Sequence, residues 1–179
     1  RVADAALAAG VNIVNDVSGF KFDPGLGPLC AKYAAPVCLM HAQGLPETMQ
    51  DAPHYDDVLL DVFDVLAKQI EVAMGFGLSR NQIIVDPGLG FGKTQGHNLA
   101  LIRGLSLFHG LGCAVMLGAS RKGFIRDIGQ APIAEDRAPG SIAVGLAAVQ
   151  QGVHILRVHD ISQTRQALAL FQAATTGLD

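Results

Sequence analysis

Five short apolar runs punctuate the chain, each ending on polar residues: 11–14 (VNIV) before Asn15 and Asp16, 37–40 (VCLM) before His41, 83–85 (IIV) before Asp86, 114–117 (AVML) before a GASRK loop, and 155–158 (ILRV) before His159 and Asp160. Runs of about four residues bounded by turn signals read as strands buried on both faces, as in a parallel sheet covered by helices. Between them lie helical patterns. The chain opens in an alanine-rich helix stopped by Gly10, and a second helix spans 25–33. The longest spans 55–75, with Val58, Val62, Leu66, Ile70 and Met74 on one stripe, Leu59, Phe63 and Ala67 beside it, and Asp56, Asp57, Asp61 and Asp64 toward its start. Further helices are predicted over 99–108 with Asn98 as N-cap, over 142–151 with Ser141 as N-cap and Gly152 as stop, and at the end behind Ser162. Strand and helix alternate, which predicts an α/β fold with a parallel sheet.

The polar strand ends fall together on one rim: Asn15 and Asp16, His41, Asp86, Ser120 to Lys122, Arg157 and His159. In an α/β barrel that rim is the active-site face. Its most distinctive stretch is IIVDPGLGFGK at 83–93, where a strand ends on Asp86, Pro87 stops the ladder, and Gly88, Gly90 and Gly92 permit positive φ and close approach to a flat ligand. A nucleotide phosphate loop is excluded, because the glycine it needs five places before Gly92 is Pro87; the dinucleotide fingerprint fails because its third glycine would be Lys93.

An acid, an amide, a lysine, an arginine and a histidine on one rim suit a heterocycle with an amidine edge joined to a phosphate ester. Asp86 can accept from a ring N–H and an exocyclic amino group, Asn15 can serve further ring atoms, and Arg157 with His159 can hold a leaving pyrophosphate. Each also has a plainer role open to it. Asp86 can cap backbone amides, Lys122 can be a solvated cation, His41 a satisfied strand-end histidine, and Arg157 with Asp160 a surface ion pair.

Composition narrows the picture further. The 179 residues, half of them hydrophobic, suffice for one domain. A net charge of −3, no tryptophan and two tyrosines leave no platform for nucleic acid, and no apolar run approaches a membrane span, so neither partner is expected. Cys30, Cys38 and Cys113 are odd in number and apolar in surroundings, which predicts reduced core thiols and a cytoplasmic protein; no paired Cys or His spacing suggests zinc. Arg1 already lies inside a helical pattern, as in part of a longer chain.

VNIVNDVSGF, CLMH, IIVDPGLGFGKT, LGASRKGFI, RAPGSIA and LRVHD, in this order, resemble the dihydropteroate synthases of the pterin-binding barrel family along the whole chain. The resemblance implies a (β/α)8 TIM-type barrel of which this chain holds five parallel strands, units 4 to 8. It implies condensation of 6-hydroxymethyl-7,8-dihydropterin pyrophosphate with 4-aminobenzoate, with magnesium whose ligand lies in the family's first strand, and no metal ligand here. It assigns pterin binding to Asn15 and Asp86, with Met40 against the ring, Lys122 on the pterin's polar edge and Arg157 over its face. It places Lys122, Ser120 and Phe91 at the aminobenzoate pocket, counts Gly118 among the substrate-binding residues, and gives pyrophosphate to Arg157 and His159; Lys122, Arg157 and His159 carry the catalytic roles. It also implies a homodimer through late helices. By this match the chain alone is expected to give little turnover. A corrinoid-linked methyltetrahydrofolate methyltransferase on the same barrel, or a non-catalytic barrel fragment, stays open as an alternative.

Overall fold

The computed structural model describes residues 1–44 and 47–177. Five strands, β1 (Val14–Asp16), β2 (Val37–Met40), β3 (Ile83–Asp86), β4 (Ala114–Leu117) and β5 (Ile155–Leu156), form one parallel sheet in the order β1-β2-β3-β4-β5. Each strand therefore pairs with its neighbour in sequence. A doubly wound sheet reverses its strand order at a switch point, whereas a barrel wall adds strands in one direction, so this order makes an arc of a barrel.

The helices are α1 (Val2–Ala8), α2 (Leu26–Lys32), α3 (Val58–Gly75), α4 (Gln95–Arg103), α5 (Gly123–Gly129), α6 (Ala138–Gln150) and α7 (Ile161–Thr176), with a 3₁₀ stretch at Leu105–Leu111. In α3 the predicted stripe is the buried one: Val58, Val62, Leu66 and Ile70 pack into the core, although Met74 ends exposed. Asp57 caps this helix by accepting from the amides of Leu59 and Leu60 at 2.9 and 3.2 Å.

Several predicted boundaries move. The first strand is shifted to 14–16, because residues 11–13 lead in from α1 without ladder partners. Asn98 is not an N-cap. Thr94 holds that position and exchanges hydrogen bonds with His97, which leaves Asn98 buried one turn inside α4. Ser141 also lies inside its helix, donating to the Arg137 carbonyl at 2.7 Å and accepting from the Arg121 amide at 2.9 Å. Asp160, not Ser162, precedes α7, and α5 occupies a stretch whose bounding glycines suggest a loop.

The core lies between the helices and one face of the sheet. Val37, Leu39, Ile83, Val85, Val115 and Leu117 point into it, while Cys38, Ile84 and Met116 form a smaller cluster on the opposite face. The three thiols are free and buried. Among the described residues, no helix is long and apolar enough to cross a membrane.

Candidate functional site

Strand parity sorts the polar strand ends onto two faces. Successive residues of a strand point to opposite sides, so the register aligns Asn15 with Cys38 and Ile84 on the face away from the helices, and Met40 with Asp86 one step further along. Gly118 and Arg157 continue the same parity beyond Met116 and Ile155. A side chain at Gly118 would meet Asp86 Oδ2 at 3.8 Å and Arg157 Cβ at 4.0 Å, so the glycine leaves open space between these two groups.

Asp16 and His41 belong to the helix-side face, contrary to their place on the predicted rim. The Asp16 carboxylate accepts from the Ser18 amide and hydroxyl at 2.9 and 2.8 Å and from the Phe20 amide at 2.5 Å, which closes the turn after β1. His41 contacts the buried Lys93 ammonium instead, with Nδ1 2.8 Å from Nζ.

Asp86 is 6% exposed, accepts from the Gly88 amide at 2.8 Å, and faces Lys122, Lys93 and Arg157. Burial raises its carboxyl above the ordinary aspartate range, and the amide and three cations only partly offset this. Lys122 lies over the Phe91 ring at 4.8 Å and donates to the Leu89 carbonyl; burial draws its ammonium down to about 8, with Asp86 opposing and Arg157 assisting. On the neighbouring loop Ser120 Oγ accepts from the His159 amide at 3.2 Å and sits 2.9 Å from His159 Nδ1.

Arg157 and Asp160 do not form the ion pair allowed by sequence. Asp160 is held by Arg121, through Nε at 3.1 Å and Nη2 at 2.5 Å, which ties the β4 and β5 loops together. The guanidinium of Arg157 and the amide of Asn15 are without side-chain hydrogen bonds among the described residues, and both residues are exposed. Beside Lys122 and Gly90 a cavity of about 300 Å³ opens, with Gln50, Asn98, Phe124 and Arg126 in its wall.

The 88–92 loop has no sheet partner, yet each of its five carbonyls accepts from a side chain. Lys93 donates to Gly88 and Phe91 at 2.9 and 3.0 Å, Lys122 to Leu89, Gln50 to Gly90, and the Tyr55 hydroxyl to Gly92 at 2.8 Å. Asn98 accepts from the Gly90 amide at 2.7 Å. Sequence reasoning passes over Lys93, Asn98, Gln50 and Tyr55 as parts of the site. The available signal is a lysine directly behind three alternating glycines, where the turned-in backbone offers carbonyls.

The family model for pterin binding enzymes matches residues 1–159. The dihydropteroate synthase of Escherichia coli is 39% identical over 173 residues, covering 97% of this chain and 61% of that protein. The chain thus spans about three fifths of the length of the relatives it matches. Among solved structures, dihydropteroate synthase from Stenotrophomonas maltophilia with active site-bound imidazole superposes with a TM-score of 0.94 at 37% identity, covering 99% of this chain and 67% of that one. The enzyme from Xanthomonas albilineans in complex with 7,8-dihydropteroate gives 0.90 at 38% identity, covering 98% and 63%.

Proposed function

The chain belongs to the pterin-binding enzyme family, and we propose that it carries the substrate-binding wall of a dihydropteroate synthase, which joins 6-hydroxymethyl-7,8-dihydropterin pyrophosphate to 4-aminobenzoate and releases pyrophosphate. One observation carries the reading most directly. Asp86, the carboxylate that strand parity puts on the open face, stands between Asn15 and Met40 on one side and Arg157, unpaired among the described residues, on the other. That is the order in which a pterin and its pyrophosphate would lie.

In this proposal Asp86 accepts from the ring N–H and the exocyclic amino group, Asn15 reads the remaining ring edge, and Met40 packs against the ring. Arg157 and His159 hold the pyrophosphate, while Lys122, Phe91, Ser120 and the Gly118 loop border the aminobenzoate, for which the cavity beside Lys122 has room. The carbon–oxygen bond at the pterin methylene breaks with its electron pair leaving on pyrophosphate. The amine nitrogen then forms the new carbon–nitrogen bond and loses a proton. Charge on the leaving group is met by the cations of Arg157 and Lys122, and no side-chain nucleophile is required.

Magnesium, which the family resemblance brings, has its expected ligand in the family's first strand, and no residue of this chain is proposed to hold it. Among the described residues no three His, Cys, Asp or Glu side chains gather. No step above runs through a metal. A homodimer through the late helices remains part of the proposal, supported by an apolar hollow of about 260 Å³ among Leu99, Phe124, Ile125, Ile128 and Val144. A cytoplasmic location is supported by the free buried thiols.

Calorimetric titration tests the reading. The chain is expected to bind the pterin pyrophosphate saturably and to bind 6-hydroxymethyl-7,8-dihydropterin without pyrophosphate more weakly. Equal affinity for the two would remove pyrophosphate recognition by Arg157 and His159 and favour a methyltransferase that reads only the pterin.

A further inference from the structure

Lys93 is 3% exposed, although a lysine in a loop is ordinarily solvated. Its ammonium has three donors, and three partners surround it: the carbonyls of Gly88 and Phe91 at 2.9 and 3.0 Å, and His41 Nδ1 at 2.8 Å, an acceptor in the tautomer that keeps its proton on Nε2. The His41 carbonyl stands further off at 3.5 Å and the Tyr55 ring at 6.0 Å. His41 leaves the end of β2 on the helix-side face, so the ammonium bridges two strand ends from behind the proposed ligand face. It fills the role that a bound cation would fill in a carbonyl-lined loop. Lys122, Gln50, Tyr55 and Asn98 each hold one further backbone group of the loop, but Lys93 takes two of its carbonyls at once and joins them to β2, where the turn at Gly88 comes so close that an added Cβ would lie 1.9 Å from the His41 carbonyl.

We propose that Lys93 is a positioning residue of the aminobenzoate side: its ammonium, clasped by Gly88, Phe91 and His41, fixes the loop backbone that presents Phe91 to Lys122. The proposal rests on the functional reading above for the identity of the ligand, but the clasp itself does not. Lys93 borders the cavity beside Lys122, but it is 3% exposed and its hydrogen bonds go to the loop carbonyls and to His41, so it acts through the loop. The strand-end residues Asn15, Met40 and Asp86 keep their places by ladder pairing when the loop is loosened, so the aromatic amine should lose more than the pterin.

The experiment compares the wild-type chain with Lys93→Met, which keeps the stem and removes the donors, by amide hydrogen exchange and by calorimetry with 4-aminobenzoate and the pterin pyrophosphate. Exchange at Gly90 and Phe91 is expected to speed up by about tenfold or more, the cost of leaving buried acceptors unpaired, while Ile84 and Val85 in β3 stay protected. Affinity for 4-aminobenzoate is expected to fall about tenfold, with a smaller loss for the pterin pyrophosphate. Unchanged loop exchange, or an equal or larger loss for the pterin, would overturn the proposal. If the wild-type chain binds neither ligand the functional reading fails, and loop exchange alone decides the clasp. Should Lys93→Met not fold, the nitrogen-15 shifts of His41 in the wild-type chain decide it. Nδ1 must be the unprotonated, accepting nitrogen and Nε2 the protonated one; a protonated Nδ1 refutes the clasp.

Discussion

Replacing Asp86 by asparagine separates binding from stability, and the two effects are expected to run in different directions. The carboxamide of Asp86→Asn would keep an oxygen for the Gly88 amide at the observed 2.8 Å, so the turn after β3 should survive. On the open side the second carboxylate oxygen becomes an amide NH₂, which presents a donor to the ligand's donors. Two charge-assisted hydrogen bonds are lost at about 1.5 kcal/mol or more each, so affinity for the pterin pyrophosphate should fall by about 100-fold or more. Stability responds otherwise. A carboxyl whose folded pKa is raised binds more protons in the native state than in the unfolded one. Its contribution is therefore fully present below the ordinary aspartate range and is lost as pH rises through the elevated value, leaving the ionised group unfavourable at neutral pH. Asparagine removes that burial cost. Against this, Lys93 and Lys122 lose the carboxylate that holds their pKa values up, and each can shed its proton more readily. The two changes offset, and Tm should move by no more than about 3 °C, equivalent to about 1 kcal/mol in a domain of this size. Thermal scanning and calorimetry on the same preparations check both halves. A variant that loses many degrees of Tm, or that still binds the pterin pyrophosphate tightly, would show Asp86 to be a structural carboxylate and sink the site assignment.

Gly88→Ala and Gly90→Ala form a matched pair, since both residues have positive φ, 68° and 79°, but an added methyl at 90 meets only the Lys122 side chain at 3.5 Å. Gly90→Ala should cost about 1 kcal/mol from conformation alone, and Gly88→Ala about 3 kcal/mol because it also strikes the His41 carbonyl; equal urea midpoints for the two would contradict the close approach. Burial and the Lys93 charge press the His41 pKa down to about 3, so the native state excludes a proton that the unfolded chain accepts near 6.5. Stability from this residue is accordingly lost as pH falls from about 6.5 toward 3, by about 2 kcal/mol at pH 5, and His41→Gln should lack that share of the acid sensitivity in parallel urea titrations. Arg157→Met should weaken binding of free pyrophosphate at least about tenfold in calorimetric titration and flatten its salt dependence, leaving Tm nearly unchanged because the guanidinium has no side-chain partner among the described residues to lose; unchanged binding would move the pyrophosphate elsewhere.

The alternation of apolar runs with helical stripes makes the fold class and all five strands legible, since periodicity and strand-end turns are local properties of sequence. Local preference fails where neighbours compete. Asn98 is a good cap by type, but Thr94 with His97 three places on makes a reciprocal cap and pulls the helix start forward, freeing Asn98 to hold Gly90. Residues 123–129 look like a loop because glycine at both ends hides a two-turn helix whose Phe124 and Ile125 are buried. The burial of Lys93 is out of reach for a different reason: its acceptors are carbonyls from its own loop and a histidine 52 residues away, and nothing local announces either.

The strand ends show most clearly what sequence can and cannot decide. A run such as Cys38, Leu39, Met40 is apolar on both faces, so its pattern does not say which alternate residues look toward the helices, and the two polar neighbours Asn15 and Asp16 are equivalent until the register is known. Register assigns them opposite fates. Asp16 and His41 find partners within the fold, the first on the amides of its own turn and the second on Lys93, and their chemistry is absorbed by structure. Asn15 and Arg157 face the other way with their polar groups unmet among the described residues, and Asp86 stays there with a carboxyl that burial makes costly to ionise. Folding alone offers no reason to keep an exposed amide, an unpaired guanidinium and a raised-pKa acid on one face. A ligand with a donor-rich ring edge and an anionic tail supplies one.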